Sequence, residues 1–191
     1  MAQLESKEVE KEAVRVVAAM MAASARTAPK TRGVDTIQTM IVDGDDLEIL
    51  ACAMEDKAKE QPPNSSLLFG EDEFSAVRNS SRVLLIGVVG NPKKIELPLD
   101  CGACGYKACK QLLKARKHQG KDFSGPICIF QAIDLGIALG SAVKLASELN
   151  VDNRIFYTVG AAAKKLNLLD SDIIIGIPLS VTGKNIYFDR Q

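Results

Sequence analysis

Four cysteines close together in the middle of the chain constrain its structure and chemistry more than any other feature. Three of them follow the spacing C-x2-C-x4-C, and the fourth comes after eighteen further residues. They are Cys101, Cys104, Cys109 and Cys128. Thiols grouped in this way in a reducing compartment bind metal or carry out redox chemistry more often than they form a disulfide framework. The sequence therefore predicts one metal centre built from these four residues.

A [4Fe-4S] cluster is the metal centre that this spacing favours. Such a cluster takes one cysteine per iron, and a tight loop containing Gly102 and Gly105 can supply three of the four thiolates. Four thiolates also make a structural zinc site, but such sites usually combine two short C-x2-C hairpins and this chain has one. We therefore predict an iron-sulfur cluster and keep zinc as the alternative.

Basic residues surround the cysteines, and residues 108 to 119 are predicted to form a helix that begins at the cluster. Its positive N-terminal end would favour deprotonated thiols. No acidic residue lies between Cys101 and Lys121, so the local charge favours a reduced cluster and an acidic electron-transfer partner. A solvated helix face would explain the same charges equally well. The cations are Lys107, Lys110, Lys114, Arg116, Lys117 and Lys121.

Other side chains are assigned no chemistry. His118 is the only histidine and is expected at the surface. Cys52 lies in the apolar sequence Ile-Leu-Ala-Cys-Ala and is predicted to be a buried small side chain. Without a G-x-S-x-G, GxGxxG or P-loop motif, hydrolytic and nucleotide-triphosphate functions have no support.

Composition excludes several classes of partner. Lys and Arg together number 24, as do Asp and Glu, so there is no net field to attract nucleic acid. Aromatic residues make up 5% and Trp is absent, which leaves few platforms for stacking bases. The longest apolar runs, residues 83–90 and 173–179, are much shorter than the ~20 residues of a membrane span. We therefore expect a cytoplasmic protein with no nucleic-acid or membrane partner.

Hydrophobic periodicity predicts alternating helices and strands around the cysteine segment. The first helix, residues 5–27, is expected to bury the stripe Val9, Ala13, Val16, Met20 and Ala23. The other predicted helices cover residues 46–59, 131–149 and 159–166, and a loop covers residues 61–66. The strands cover residues 36–42, 82–89, 172–179 and 185–188; the second is apolar on both faces and therefore central, and the last lies at an edge.

Two glycines stand four residues apart in the predicted helix 131–149. Gly136 and Gly140 would allow another backbone to approach this helix closely. The approach would occur either inside one subunit or across a dimer, and the residues do not distinguish the two.

The cysteine segment resembles a known iron-sulfur module. The sequence Cys-Gly-x-Cys-Gly-Tyr from Cys101, with Cys109, Gly120 and Cys128 after it, is similar to the four-cysteine [4Fe-4S] domain of corrinoid iron-sulfur proteins and of membrane electron-transport complexes. The resemblance covers about thirty residues.

The rest of the chain resembles nitroreductase-like flavoproteins. The residues that carry this resemblance are Ala22 to Pro29, Asp134 to Asn150 and Ile173 to Pro178. Together the two patterns resemble a prokaryotic family described as containing a ferredoxin domain. The resemblance implies an α+β fold with a nitroreductase-like mixed sheet flanked by helices. It places that domain at residues 1–98 and 129–191, with the iron-sulfur module inserted at 99–128, and implies a homodimer.

The nitroreductase resemblance also implies FMN, although the local sequence departs from that family. After Ala-Pro, nitroreductases carry Ser, Asn and Gln at the flavin pocket, whereas this chain has Lys30, Gly33 and Asp35. Arg26, Lys30 and Arg32 are predicted as cofactor-binding residues because such cations match a phosphate. Cations that complete a helix C-terminus are the alternative interpretation.

The predicted function is that of an iron-sulfur redox protein whose [4Fe-4S] cluster transfers electrons. If FMN also binds, the protein would be a flavin-linked reductase, an oxidoreductase of the nitroreductase type. The alternative is a non-enzymatic binding or sensor protein on a degenerate flavoprotein scaffold, with a structural metal. The sequence assigns no catalytic residue, substrate or electron donor.

Overall fold

The computed structural model describes residues 3–61 and 70–188 as six helices, six strands and one 3-10 turn, Thr31–Gly33. The helices are α1 Ser6–Thr27, α2 Asp46–Lys59, α3 Glu71–Arg78, α4 Cys109–Lys114, α5 Ile129–Glu148 and α6 Tyr157–Lys165. The strands are β1 Ile37–Val42, β2 Arg82–Val88, β3 His118–Gln119, β4 Ser124–Gly125, β5 Asp152–Asn153 and β6 Ile173–Ser180. Of the loop predicted at residues 61–66, all but Gln61 lies outside the described residues.

Four strands form the main sheet in the order β1-β2-β6-β5. Leu85 in β2 lies opposite Met40 in β1 and Gly176 in β6. The α+β class is confirmed. The mixed sheet that the resemblance implied is corrected, because every strand pair in the described residues is antiparallel. Each connection between neighbouring strands leaves one strand and enters the next at the same end of the sheet. The two strands therefore run in opposite directions.

Helices cover both faces of this sheet, so the core has two halves. Leu84, Ile86 and Val88 of β2 point toward α1 and α5, whereas Val83 and Leu85 point toward α2, α3 and α6. All five side chains are fully buried. This burial on both sides confirms the prediction that β2 is a central strand, since a strand covered on both faces is apolar throughout.

Helix α1 buries a different face from the one expected. Its buried residues are Val14, Val17, Ala18, Met21 and Ala25. The predicted stripe lies on the exposed face, where Val9, Val16 and Met20 are 50%, 43% and 44% exposed. The prediction was wrong because α1 is apolar on two sides, and periodicity alone does not say which side meets the sheet.

The predicted edge strand at 185–188 is also corrected. The segment is a turn in which the backbone N–H of Tyr187 donates to Oδ1 of Asn185, 3.0 Å away. Such a local side-chain bond competes with a strand ladder. Arg154 donates to the carbonyl of Tyr187, and the position beside β6 is filled by β5.

Among the described residues, α5 alone has the length and apolar composition that would allow a helix to cross a membrane. One side of α5 packs on α1 and the sheet through Leu135, Ala138, Leu139 and Ala142. Core packing therefore accounts for one face of this helix, while Ile129, Ile133 and Ile137 on another face are exposed.

Candidate metal centre

A tight loop carries the first two cysteines, and the third begins α4. Gly102 and Gly105 have φ values of +76° and +86°, which glycine adopts at little cost, and the N–H of Gly105 donates to the carbonyl of Gly102 at 2.9 Å. The N–H of Cys109 donates to Oδ1 of Asp100 at 2.6 Å. The two predicted glycines therefore do turn the loop, and Asp100 fixes the third cysteine.

Cys128 approaches from the other side, immediately before α5. Its backbone N–H donates to the carbonyl of Gly90 at 2.8 Å, which ties the residue to the end of β2. Burial raises the pKa of the Cys128 thiol, while the neighbouring backbone N–H groups of Phe130 and Gln131 act in the opposite direction. The charges of Cys104 and Cys109 raise this pKa further, because these cysteines lie near Cys128.

All four predicted ligands line one pocket. Their exposure is graded: Cys101 is exposed, Cys104 and Cys109 are half-buried, and Cys128 is only 9% exposed. In the part of the chain that the structure describes, no three His, Cys, Asp or Glu side chains converge closely enough to hold one metal ion. A tetrahedral zinc site needs its sulfurs about 3.8 Å apart, given Zn–S bonds of about 2.3 Å. Four cysteines around one pocket are a donor set that either a [4Fe-4S] cluster or, on closer approach of the sulfurs, a zinc ion can use.

The scaffold supplies the opposite wall of the same pocket. Thr31, Arg32, Pro92 and Lys93 line it beside the start of α5. Residues from outside the segment 99–128 thus contribute to the site.

A buried ion pair lies at this wall. Lys93 bonds to Asp134, with side chains 4% and 1% exposed. The backbone N–H and the hydroxyl of Thr31 also donate to Asp134, at 2.9 and 2.8 Å. Burial raises the pKa of Asp134, but the hydrogen bonds from Lys93 and Thr31 outweigh it, so the net shift is downward and the carboxylate stays charged. The pair gives the wall a fixed polar structure.

Sequence reasoning missed this network, although a signal was present. Gln131 and Asp134 stand three residues apart in an otherwise apolar helix, and both are 1% exposed. The side chain of Gln131 accepts from the hydroxyl of Thr36 at 2.6 Å and donates to the carbonyl of Asn91. Buried polar groups of this kind need hydrogen-bond partners, so two of them on the inner face of α5 indicate that polar groups from other parts of the chain meet this helix.

The helix predicted at 108–119 is shorter than expected and ends at Lys114. The chain then turns, and His118 and Gln119 form β3 against β4. The difference has a tertiary cause: Lys117 forms a salt bridge with Asp172 beside β6, which takes the chain away from the helix axis. His118 is exposed, as expected.

The three cations predicted to bind a flavin phosphate all have protein partners. Arg26 pairs with Asp35 at 2.5 Å and donates to the carbonyl of Ile37. Lys30 donates to the carbonyls of Ala25, Arg26 and Ala28, which completes the C-terminus of α1.

Arg32 differs from the other two cations because it lies at the cysteine pocket, where it bonds to the carbonyl of Leu97. The contacts of Lys30 agree with the alternative interpretation, in which a cation caps the carbonyl groups at the C-terminus of α1. A role for the three residues in flavin binding stays a prediction.

The prediction that Cys52 is buried was wrong. Cys52 is exposed, with its sulfur 3.3 Å from Oε1 of Glu48 and 3.8 Å from the guanidinium of Arg78. The helical period places it on the polar face of α2 with Glu48 and Asp56, while Leu50 and Met54 face the core.

Comparison with known sequences identifies relatives of this chain. Residues 124–190 match a family described as "Uncharacterized protein containing a ferredoxin domain (DUF2148)". A protein from Archaeoglobus fulgidus is 44% identical over 191 residues, covering 98% of this chain and 97% of the relative.

Comparison with solved structures shows the fold. Nitroreductase A from Vibrio parahaemolyticus superposes with a TM-score of 0.54 at 10% identity, over 90% of this chain and 59% of that one. The NADPH:FMN oxidoreductase from Vibrio harveyi superposes with a TM-score of 0.52 at 10% identity, over 96% of this chain and 63% of that one. An FMN-dependent nitroreductase from Clostridium difficile superposes with a TM-score of 0.52 at 11% identity, over 96% of this chain and 79% of that one. The chain thus has a nitroreductase-like fold and spans about three fifths of the length of the first two structures.

Proposed function

We propose that this chain, which belongs to the family of proteins containing a ferredoxin domain (DUF2148), is a redox protein. In this proposal a [4Fe-4S] cluster for one-electron transfer is held by Cys101, Cys104, Cys109 and Cys128. The observation that supports this most directly is that the four sulfur-bearing residues line a single pocket. When bound there, the cluster would accept and release one electron at a time.

The residues of the chain have distinct parts in this proposal. The loop of Cys101 and Cys104 and the start of α4 present three thiolates, and Cys128, immediately before the start of α5, supplies the fourth. The backbone N–H groups of Phe130 and Gln131 near the Cys128 sulfur lower the pKa of its thiol and so oppose the larger effect of burial. Apolar lining from Leu99, Leu112 and neighbouring residues limits the access of water.

Analysis of protein purified without oxygen tests the proposal. We expect about four iron and four acid-labile sulfide per chain, with broad visible absorption that bleaches on reduction. Stoichiometric zinc without sulfide, in protein never exposed to air, would contradict the cluster. It would support the alternative of a binding or sensor protein with a structural metal.

A flavin-linked reductase is the second candidate, favoured by the similar structures whose titles name FMN. In this version the cluster would supply single electrons to FMN, with Arg26, Lys30 and Arg32 near the phosphate. Because these cations already have protein partners, we expect weak binding.

Titration with FMN tests the flavin role, with Arg32→Ala as the variant and Lys59→Ala, a surface change on α2, as the control. Dissociation constants above about 10 μM, weakened further by Arg32→Ala alone, are the expected result. Submicromolar binding that Arg32→Ala leaves unchanged would place the phosphate elsewhere.

We also propose that the protein is a cytoplasmic homodimer. Ile129, Ile133, Gly136, Ile137 and Gly140 form one exposed stripe on α5. Within the described residues nothing approaches Gly136 or Gly140 within 4 Å of an added Cβ, so the close contact predicted for these glycines does not occur inside the subunit.

The exposed stripe of α1, defined by Val9, Val16 and Met20, lies on a helix that packs against α5. Two neighbouring apolar stripes of this kind are typical of an interface between subunits. Light scattering should give a dimer for the wild type and for Ile49→Glu on α2, and a monomer for Ile133→Glu. A wild-type monomer at micromolar concentration would refute the dimer.

A further inference from the structure

The four cysteines differ in their distance from solvent, which gives the metal centre one open side. Cys128 is 9% exposed, whereas Cys101 is exposed and stands in a loop whose residues 101–103 are all exposed. Any electron that moves between the centre and another molecule has its shortest route through this loop. The surface around Cys101 is therefore where a redox partner would dock.

Positive side chains without carboxylate partners surround this side. Lys107, Lys110, Lys114 and Arg116 are exposed, and none of the four forms a salt bridge within residues 3–61 and 70–188. Lys110 and Lys114 stand four apart on α4 and share one face.

The nearby acidic residues do little to offset these charges. Asp172 is paired with Lys117. Asp100, which accepts the N–H of Cys109, and the exposed Glu96 keep their charges but are outnumbered by the four cations. The formal charge of the whole chain is zero, so this local excess is not part of a general positive charge.

Exposed apolar side chains lie next to the same basic residues. Leu97, Leu99 and Leu113 are 67%, 49% and 46% exposed, and Leu99 lines the cysteine pocket. An apolar centre within a charged rim is the usual composition of a docking surface between proteins. The charges determine which partner it fits, because complementary potentials guide association and exclude partners of like charge.

We propose that the surface carrying Cys101, Lys107, Lys110, Lys114 and Arg116 docks an acidic one-electron carrier protein. This inference rests on the proposed cluster. One electron passes between carrier and centre in each encounter, one is oxidised as the other is reduced, and no bond is made or broken.

Small oxidants of opposite charge test the local potential directly. The dithionite-reduced protein, freed of excess reductant, is mixed with ferricyanide, an anion, or with hexaammineruthenium(III), a cation; each ion takes up one electron. Raising the salt concentration from about 10 to 500 mM should slow the oxidation of the protein by ferricyanide about tenfold and accelerate its oxidation by the ruthenium complex. The sequence has no net charge, and a cluster held by four thiolates adds only net negative charge, so attraction of ferricyanide would report the basic surface near the centre. Equal or absent salt effects would overturn the proposal.

Charge reversal locates the effect. Lys110→Glu/Lys114→Glu should invert both salt dependences, whereas Lys7→Glu/Lys59→Glu, with the same change in net charge on α1 and α2, should leave them nearly unchanged. Iron and sulfide content and the visible spectrum are measured on every variant. A protein that contains no cluster would refute the proposed function, whereas an intact cluster with no charge preference would refute the docking surface alone.

Binding without electron transfer is the second readout. Calorimetry with both proteins oxidised uses an acidic [2Fe-2S] ferredoxin as the probe and a basic cytochrome c as its counterpart. The ferredoxin should bind the wild type at least tenfold more tightly than the Lys110→Glu/Lys114→Glu variant, and cytochrome c should not bind the wild type. Binding of cytochrome c in place of the ferredoxin would overturn the proposed docking surface. So would burial of this surface in a dimer that binds neither probe.

Discussion

The sheet with its helices and the cysteine segment 99–128 are stabilised in different ways. The scaffold buries two apolar clusters, one on each face of β2. In the cysteine segment the buried apolar residues are only Leu112 and Cys128, among the residues that the structure describes. The segment is attached by polar contacts, such as Lys117 with Asp172 and the N–H of Ser124 with the carbonyl of Asp172, and by the half-buried ring of Phe123, which packs against one scaffold cluster.

This difference predicts which part of the protein would depend on the proposed metal centre. Burial of apolar surface contributes about 25 cal/mol per Å², so the scaffold has its own source of stability. The cysteine segment lacks a comparable core, and a bound metal supplies folding free energy to segments of this kind. The scaffold should therefore remain folded under conditions in which the cysteine segment opens.

Removal of a cysteine ligand should have the largest effect. Cys109→Ala is expected to lose most of the iron, and hydrogen exchange should then accelerate by at least tenfold at residues 101–120 while β2 and β6 stay protected. Cys52→Ala is the control, since Cys52 is an exposed residue of α2, and it should keep the iron. Equal iron loss in both variants, or global unfolding of Cys109→Ala, would show that the two regions are not independent in this way.

Substitution of Asp134 tests the part of the scaffold that faces the cysteine segment. Asp134→Asn leaves the Lys93 ammonium buried without its carboxylate, which typically costs about 3 to 5 kcal/mol. Urea unfolding of the protein measures the loss. Glu148→Gln is the matched control on the same helix, because its pair with Lys144 is exposed and should contribute about 0 to 1 kcal/mol. A loss below about 1 kcal/mol for Asp134→Asn would mean that the buried pair does not stabilise this part of the scaffold.

The two regions also differ in how well the sequence predicted them. The scaffold strands were predictable because β2 and β6 combine β-branched residues with burial on both sides, a pattern with few alternatives. The placement of the four cysteines around one pocket was predictable because the C-x2-C-x4-C spacing keeps three of them in one short segment, whereas their role as metal ligands stays a prediction. Helix α1 was predicted with the wrong face buried, and the turn at Tyr187 was predicted as a strand. Both errors arose where tertiary contacts or a single local hydrogen bond decided between patterns of similar propensity.

The Lys93–Asp134 network could not be derived from spacing, because its members are distant in the sequence. Thr31 and Asp134 are 103 residues apart, and Lys93 lies between them in the chain. Only the fold brings them to one wall of the pocket.

Acid should weaken a second polar link between the regions, and this effect should be smaller. Asp122 in the cysteine segment pairs with Lys57 of α2 at 2.7 Å and accepts from the hydroxyl of Tyr157 at 2.6 Å. Burial raises the pKa of Asp122, but the bonds from Lys57 and Tyr157 outweigh it and hold the pKa below its usual value.

A carboxyl whose pKa is lower in the folded state stabilises the protein above its unfolded pKa, and that contribution is lost as the pH falls through the folded value. The difference in unfolding free energy between the wild type and Asp122→Asn should therefore be constant near neutral pH and shrink below about pH 4. A difference that grows on acidification would contradict the assigned charge state.

The smallest expected effect is at Lys117, the outermost of these links. Its side chain is 32% exposed, and its partner Asp172 also accepts the N–H of Gly90 at 2.6 Å. Because Asp172 keeps this bond after Lys117→Ala and the lost pair is partly solvated, the cost should be about 0.5 to 1 kcal/mol. Since the link attaches β3 and β4 rather than the core, the cost should appear as faster hydrogen exchange at residues 118–125, with the midpoint of global unfolding unchanged. Lys121→Ala, a nearby exposed lysine without a salt bridge in the described residues, is the control and should change neither measurement. A lowered global midpoint in Lys117→Ala alone would show that the cysteine segment and the scaffold unfold as one unit.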